Sequence, residues 1–271
     1  SLANLLSILL FLPFLQPFVK FLEKFFKNVD ASIAAFIGNA TVSEPQTAID
    51  LFKRETRYFI HNSMLLNLEN LGIDSIFLQE NSTFNEINDR KKFMVKSAEE
   101  KYEFLKLLQG ELQSFYLLLR PKLQDEELIE LNQLVSAVRH SIYAAKSMKD
   151  NKSNIWNLER SSKNIKFNFL LQLQTETEAL YHLLNSCEQS SEQADQGKLN
   201  EAYKAIENNY KRALNDFYKD PQTAILEDMD LTTIINFNRE LLSSNKAMLL
   251  AVKDLLLNEN QSLAFNENQV M

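Results

Sequence analysis

The chain has 271 residues, 45% of them hydrophobic and 24% charged, with a formal net charge of −7. Four glycines and five prolines fall far below the usual share of roughly 7% and 5%, so turns are few and the fold is expected to be all-α. The acidic balance argues against a nucleic-acid partner. A single cysteine, Cys187, excludes an internal disulfide and a cysteine-rich zinc site. His61, His140 and His182 have no metal-ligand spacing, and no GxGxxG, P-loop or GxSxG occurs, so neither an enzyme site nor a cofactor is expected.

Residues 1–19 carry no charge, and twelve side chains between Leu2 and Val19 are Leu, Ile, Phe or Val. As a helix this run rises about 27 Å, close to the hydrocarbon thickness of a bilayer. Pro13 and Pro17 are better tolerated in a membrane helix than in a soluble one. Lys20, Lys24 and Lys27 follow, interleaved with Phe21, Leu22, Phe25 and Phe26. Positive residues mark the cytoplasmic flank, so 1–28 reads as a transmembrane helix and an interfacial segment; a buried helix of a soluble bundle is the alternative. A chain that begins at Ser1 rather than methionine is expected to be processed or truncated.

Residues 29–44 read as a linker. Pro45 opens a helix at its first turn that ends near Gly72, and Ile73 to Arg90, rich in Asn, Ser and Asp, reads as a loop. A further helix is expected over about 91–120, with Leu105, Leu108, Leu112, Phe115 and Leu119 spaced three and four apart. Pro121 breaks it, and Asp125, Glu126 and Glu127 put negative charge at the start of the next. That helix runs to about Asp150 or Leu158. Others span about 162–190, 198–219 and 221–257, and the polar stretch 258–271 reads as a frayed tail.

Pro121 and Pro221 stand 100 residues apart, and the register continues without a gap. Glu127 aligns with Glu227, Leu131 with Leu231, Arg139 with Arg239, Lys146 with Lys246 and Met148 with Met248. Positions 131, 134/135, 138, 142 and 145 form a helical seam. This reads as a duplication that divides the chain into three-helix bundles at 45–158 and 159–257.

The stretch Ser136-Ala137-Val138-Arg139-His140-Ser141-Ile142-Tyr143-Ala144-Ala145-Lys146-Ser147-Met148-Lys149-Asp150, with Asn154 following, resembles the PhoU-like domain of bacterial Na+/phosphate cotransporters. So does Asn238-Arg239-Glu240-Leu241-Leu242-Ser243-Ser244-Asn245-Lys246-Ala247, continuing into Lys253-Asp254-Leu255-Leu256-Leu257. The opening Asn4-Leu5-Leu6, with Leu9-Leu10-Phe11-Leu12-Pro13-Phe14, is similar to the last membrane helix of those transporters. The resemblance covers nearly the whole chain. It implies a PhoU-like pair of antiparallel three-helix bundles, cytoplasmic, attached to a sodium-coupled phosphate carrier in the bacterial inner membrane. The family's paired Gln-Ser-Ser transport core would lie upstream of Ser1, so this stretch alone is not expected to carry phosphate or sodium. Stand-alone PhoU proteins bind metal through acidic motifs, whereas this chain has Lys146-Ser147-Met148-Lys149-Asp150 at the matching stretch, and no metal is expected there.

Carboxylates four apart, Asp216/Asp220 and Glu188/Glu192, share a helix face, a spacing that is also common on solvated helices. Arg139, Lys146, Lys149, Asp150, Asn154, Arg239 and Lys246 are candidates for ligand or partner contact, because Arg holds phosphate oxygens with a planar fork and Lys adds a point charge. The alternative is structural pairing with Asp150, Glu127 or Glu240. His140 reads as structural, Trp156 as an anchor at the junction of the bundles, and Cys187 as unreactive. The expected function is the C-terminal part of a sodium-dependent phosphate symporter whose helical module regulates or stabilises transport, with a regulatory protein as a candidate partner. A membrane-tethered helical scaffold or signalling adaptor is the alternative.

Overall fold

The computed structural model describes residues 32–38, 40, 44–80, 84, 93–189 and 196–270; the expected membrane helix and interfacial segment at 1–28 lie outside them. The described residues contain nine α-helices and no strand: α1 (Pro45–Asn70), α2 (Ile76–Glu80), α3 (Ala98–Leu119), α4 (Asp125–Asp150), α5 (Lys152–Glu159), α6 (Asn164–Gln189), α7 (Gln196–Lys219), α8 (Asp228–Leu256) and α9 (Glu259–Val270). None of these helices is long and apolar enough to cross a membrane.

Local chemistry sets most of the boundaries. Pro45 sits in the first turn of α1, where its missing N–H costs nothing. At the other end Gly72 adopts φ 67°, and the N–H groups of Gly72 and Ile73 donate to Glu69 O and Leu68 O at 3.1 and 2.9 Å. That is a Schellman stop, and its left-handed residue favours glycine. Ser97 and Glu100 exchange hydrogen bonds at the start of α3, and Glu127 and Asp230 reach back to the N–H groups of Gln124 and Glu227 at the starts of α4 and α8. Such reciprocal caps satisfy amides that have no partner inside the helix.

Three segments depart from the sequence expectation. The linker at 29–44 contains a docked turn: Ala35 N–H donates to Glu55 Oε1 at 3.0 Å, and Phe36 and Ile37 donate to Glu55 Oε2 at 2.6 and 3.2 Å. Ala34 N–H donates to Glu111 Oε2 at 3.0 Å. Within the expected loop lies α2, whose Phe77 stacks on His182 with ring centroids 3.7 Å apart; packing against α6, not propensity, holds so short a helix. The expected frayed tail is helical as α9. Asn258 and Gln261 cap it reciprocally at 3.1 and 3.0 Å, and Phe265 is fully buried edge-on to Tyr203.

Helices α1, α3 and α4 pack on one another, as do α6, α7 and α8, and the broadest helix–helix contact joins α4 to α8. Through that contact Ala34–Met271 forms one compact unit, while only Ser32 and Ile33 of the preceding unit are described. Ser244 Oγ donates to Ala144 O at 3.0 Å, and Asn151 Nδ2, seven residues beyond Ala144, donates to Phe237 O, seven before Ser244. The two helices therefore run antiparallel and meet where residue 144 faces residue 244.

Burial follows the 100-residue register: Ala137 and Phe237, Ser141 and Leu241, Ala144 and Ser244, Met148 and Met248 are buried in pairs. The register is imperfect at both ends. Pro121 and Pro221 each lie at the start of a 3₁₀ turn, Arg120–Lys122 and Pro221–Ile225, but the second is longer, so α8 starts three residues late relative to α4. Asn151 interrupts the first copy between α4 and α5, whereas α8 runs through.

Asp230 links this frame to α6. Its carboxylate accepts from Lys163 Nζ at 2.6 Å and Lys166 Nζ at 2.7 Å, and these two ammonium groups hold its pKa at about 2, below the ordinary 3.8. A carboxyl depressed by folding stabilises the fold fully above its ordinary pKa and loses that contribution as the pH falls toward the depressed value. Asp230→Asn is expected to lower stability by about 1–3 kcal/mol at pH 7. In urea titrations the gap to the parent closes between about pH 4 and pH 2.

Candidate functional site

The seven polar residues singled out in the sequence do not converge. Arg139 and Lys146 are exposed on α4, as are Asp150 and, on α8, Arg239. Arg239 lies 3.5 Å from Glu240 Oε1, one of the structural pairings foreseen. Lys149 turns to α3, 2.8 Å from Glu99 Oε1 and 4.6 Å above the Tyr102 ring, and its hydrogen bond to Glu99 lifts its pKa above the ordinary value. Lys246 turns to α7, where it bonds Glu207 and lies over Tyr203. Asn154 Nδ2 donates to Asn151 Oδ1 at 2.8 Å, which steadies the break between α4 and α5.

The remaining singled-out groups are structural or solvated. His140 Nδ1 is 3.0 Å from Asp254 Oδ2, and Lys253 Nζ is 2.8 Å from the other oxygen of that buried carboxylate. Cys187 is buried. Trp156 is half exposed beneath the Arg160 guanidinium, 4.7 Å away, and so does not anchor the junction; Ile155 and Leu158 on the same short helix are buried instead. Asp220 caps the 3₁₀ turn through Gln222 N–H at 2.8 Å, and Glu192 lies outside the described residues. Among the described residues no group of three or more His, Cys, Asp or Glu could hold a metal ion.

What does converge is a row of uncharged polar side chains in the core. Asn67 on α1 is fully buried; its Nδ2 donates to Tyr181 Oη at 2.9 Å and to Ser244 Oγ at 3.3 Å. Ser244 in turn donates to the Ala144 carbonyl. One connected set of bonds thus pins α1, α4, α6 and α8. Burial pushes the Tyr181 hydroxyl well above its ordinary pKa, against the pull of Asn67 and Ser244, so it stays a neutral hydrogen-bonding group.

Beside this row opens a cleft of about 210 Å³ between α6, α7 and α8. Leu173, Leu180, Ile206 and Leu241 form apolar walls, and Glu176, Thr177, Asn238 and Asn245 supply polar groups. Thr177 and Asn238 are almost fully buried. Asn245 Nδ2 donates to Thr177 Oγ1 at 3.1 Å, and Asn238 Nδ2 to Tyr210 O at 3.2 Å. These residues stand outside the seven sequence candidates, although the repeat carries their signal: Asn238 and Asn245 occupy the register positions of the seam residues Val138 and Ala145. A polar residue at a buried position of an apolar repeat marks a place where something other than packing is being satisfied.

No protein-family model matches the chain, and neither a curated protein nor a solved structure matches it.

Tyr181→Phe removes one hydroxyl and leaves the Asn67 amide short of an acceptor. Loss of about 1–3 kcal/mol of unfolding free energy is expected in urea. A change below about 0.5 kcal/mol would mean the polar row does not hold the four helices.

Proposed function

We propose that this chain is the C-terminal part of a sodium-dependent inorganic phosphate symporter of the bacterial inner membrane. In this reading the described helices form a PhoU-like pair of three-helix bundles on the cytoplasmic side, and that module regulates or stabilises transport. The observation that carries the reading is the antiparallel contact of α4 and α8 at residues 144 and 244, positions that correspond in the repeat. Two copies of one unit related by a two-fold axis meet at corresponding residues, and a paired-bundle fold has that form. The resemblance of 136–150 and 238–247 to the PhoU-like domain falls on these same two helices, and the resemblance of 4–14 to a final membrane helix supplies the link to a carrier.

The mechanism follows from rigidity. The polar row and the α4–α8 contact join both bundles into one body, so a partner or ligand bound at one bundle moves the whole. Such a body biases a carrier only if it contacts the inward- and outward-facing states differently.

Sodium-dependent uptake of radiolabelled phosphate tests the reading, measured with the intact carrier and with a form lacking residues 45–271, over a range of external phosphate. The intact protein is expected to take up phosphate only with sodium, and removal of the module to change the rate, or its response to phosphate, by about fivefold or more. No sodium-dependent uptake by the intact protein overturns the symporter assignment. Identical uptake by both forms at every phosphate concentration overturns the regulatory role.

A further inference from the structure

One apolar face of α3 points away from the core. Leu107, Leu117 and Leu118 are 62%, 61% and 62% exposed, whereas Leu105, Leu108, Leu112, Phe115 and Leu119 of the same helix are buried. At about 100° per residue, the exposed leucines fall with Glu103, Gly110 and Ser114 on one stripe about 100° wide, on the far side of the helix from the buried set. Gly110 and Ser114 are themselves exposed, and a Cβ built on Gly110 would meet no neighbouring atom within 4 Å among the described residues. Ser114 Oγ donates to Gly110 O at 2.9 Å, so the hydroxyl between the leucines is already satisfied.

Singly exposed leucines are ordinary, but this set is arranged about a centre. Leu107 and Leu117 each lie five residues from position 112, and Gly110 and Ser114 each lie two from it. A two-fold axis there sets Leu107 against the partner's Leu117, and Gly110 against the partner's Ser114, in an antiparallel helix pair. Small residues at the centre let the backbones approach, and leucines close over both sides. Charge follows the same symmetry. Glu103 lies one turn before Leu107, while Arg120 and Lys122 follow Leu118, all of them exposed. The axis carries Glu103 to the level of the partner's Arg120, once at each end of the pair, whereas a parallel pair would set like charges together. Lys106 Nζ is 3.0 Å from Glu103 Oε2 in the chain itself. Both side chains are half exposed, so that pair is weak and leaves the carboxylate able to take a second cation.

We propose that the exposed face of α3 is a two-fold docking surface for a second copy of this chain. Gly110 and Ser114 form its centre, the three leucines its apolar flanks, and Glu103 with Arg120 its charged ends. One helix pair is a small interface, so the association is in the micromolar range, about 1–100 μM. The proposal stands apart from the transport reading and is tested without phosphate or sodium.

Equilibrium sedimentation of the full 271-residue chain in density-matched non-ionic detergent, from about 1 to 200 μM, measures the association. A monomer–dimer equilibrium is expected. Gly110→Lys should weaken it about tenfold or more. Lysine is a better helix former than glycine at an exposed position, so the melting temperature of this variant should not fall. Glu103→Arg and Arg120→Glu should each weaken the dimer about threefold or more, and combining them in one chain should restore it. A chain that stays monomeric throughout overturns the proposal and leaves the stripe to a different partner. A dimer that survives Gly110→Lys is held by another surface and overturns it as well. Failure of the combined charge reversal to recover the dimer overturns the antiparallel pairing on which the proposal stands.

Discussion

The close approach of α4 and α8 is the constraint on which the rest of the fold depends. Two helices of this length can bring their backbones together only where side chains are small, and Ala137, Ser141 and Ala144 on α4 and Ser244, Ala247 and Ala251 on α8 are all buried. Each helix thus has two buried faces, one toward its own bundle and one toward the other. Met148 shows the consequence: it extends from α4 into the hydrophobic cluster that holds Phe169, Phe217 and Phe237 of the second bundle. The aromatic rings there meet edge to face, at 5.3 Å for Phe169 with Phe217, a favoured geometry. The core is continuous across the contact, so neither bundle is complete without the other.

Polar groups inside that core act as registration marks rather than as net sources of stability. A helix sliding by one turn would carry Asn67 away from Tyr181 and Ser244 and leave several buried polar atoms without partners, at about 1–3 kcal/mol for each. Glu55 and Asp230 show how environment separates two carboxylates. Glu55 is fully buried and burial raises its pKa, although the amides of Phe36, Ala35 and Ile37 oppose the shift; its charge is therefore a cost at neutral pH that three hydrogen bonds offset only in part. Asp230 faces two ammonium groups, and its pKa falls. One acid clamps a turn to α1 and the other ties α8 to α6.

Much of the helical order was legible in the sequence, because the scarcity of glycine and proline, the prolines at 45, 121 and 221, and apolar residues three and four apart all act locally. Of the seam, Leu131, Leu134, Val138 and Ala145 are buried as the periodicity implied, whereas Val135 and Ile142 are only half-buried, and the seam is only one of the two buried faces of α4. The second, through Ala137, Ser141 and Ala144, consists of small and hydroxyl side chains that carry no hydrophobic signal. The helical tail leaves no such signal for a related reason: one aromatic residue, Phe265, fixes α9, and a single side chain makes no period. The candidate site was scarcely legible. Arg and Lys attract attention in a sequence, yet Lys149, Arg239 and Lys246 pair with neighbouring acids and Arg139 and Lys146 are exposed, while Asn238 and Asn245 betray their burial only through the register of the repeat.

The fold depends most heavily on contact between residues 144 and 244, and the stability of Ser244→Leu tests that contact most directly, with Arg239→Leu as an exposed substitution on the same helix. Forcing a larger side chain into a close helix contact costs about 1–3 kcal/mol or more, whereas an exposed change costs about 0.5 kcal/mol or less. Urea unfolding should therefore show a large loss for Ser244→Leu and almost none for Arg239→Leu. If Ser244→Leu is as mild as Arg239→Leu, the helices do not meet there, and the paired arrangement of the two bundles is wrong.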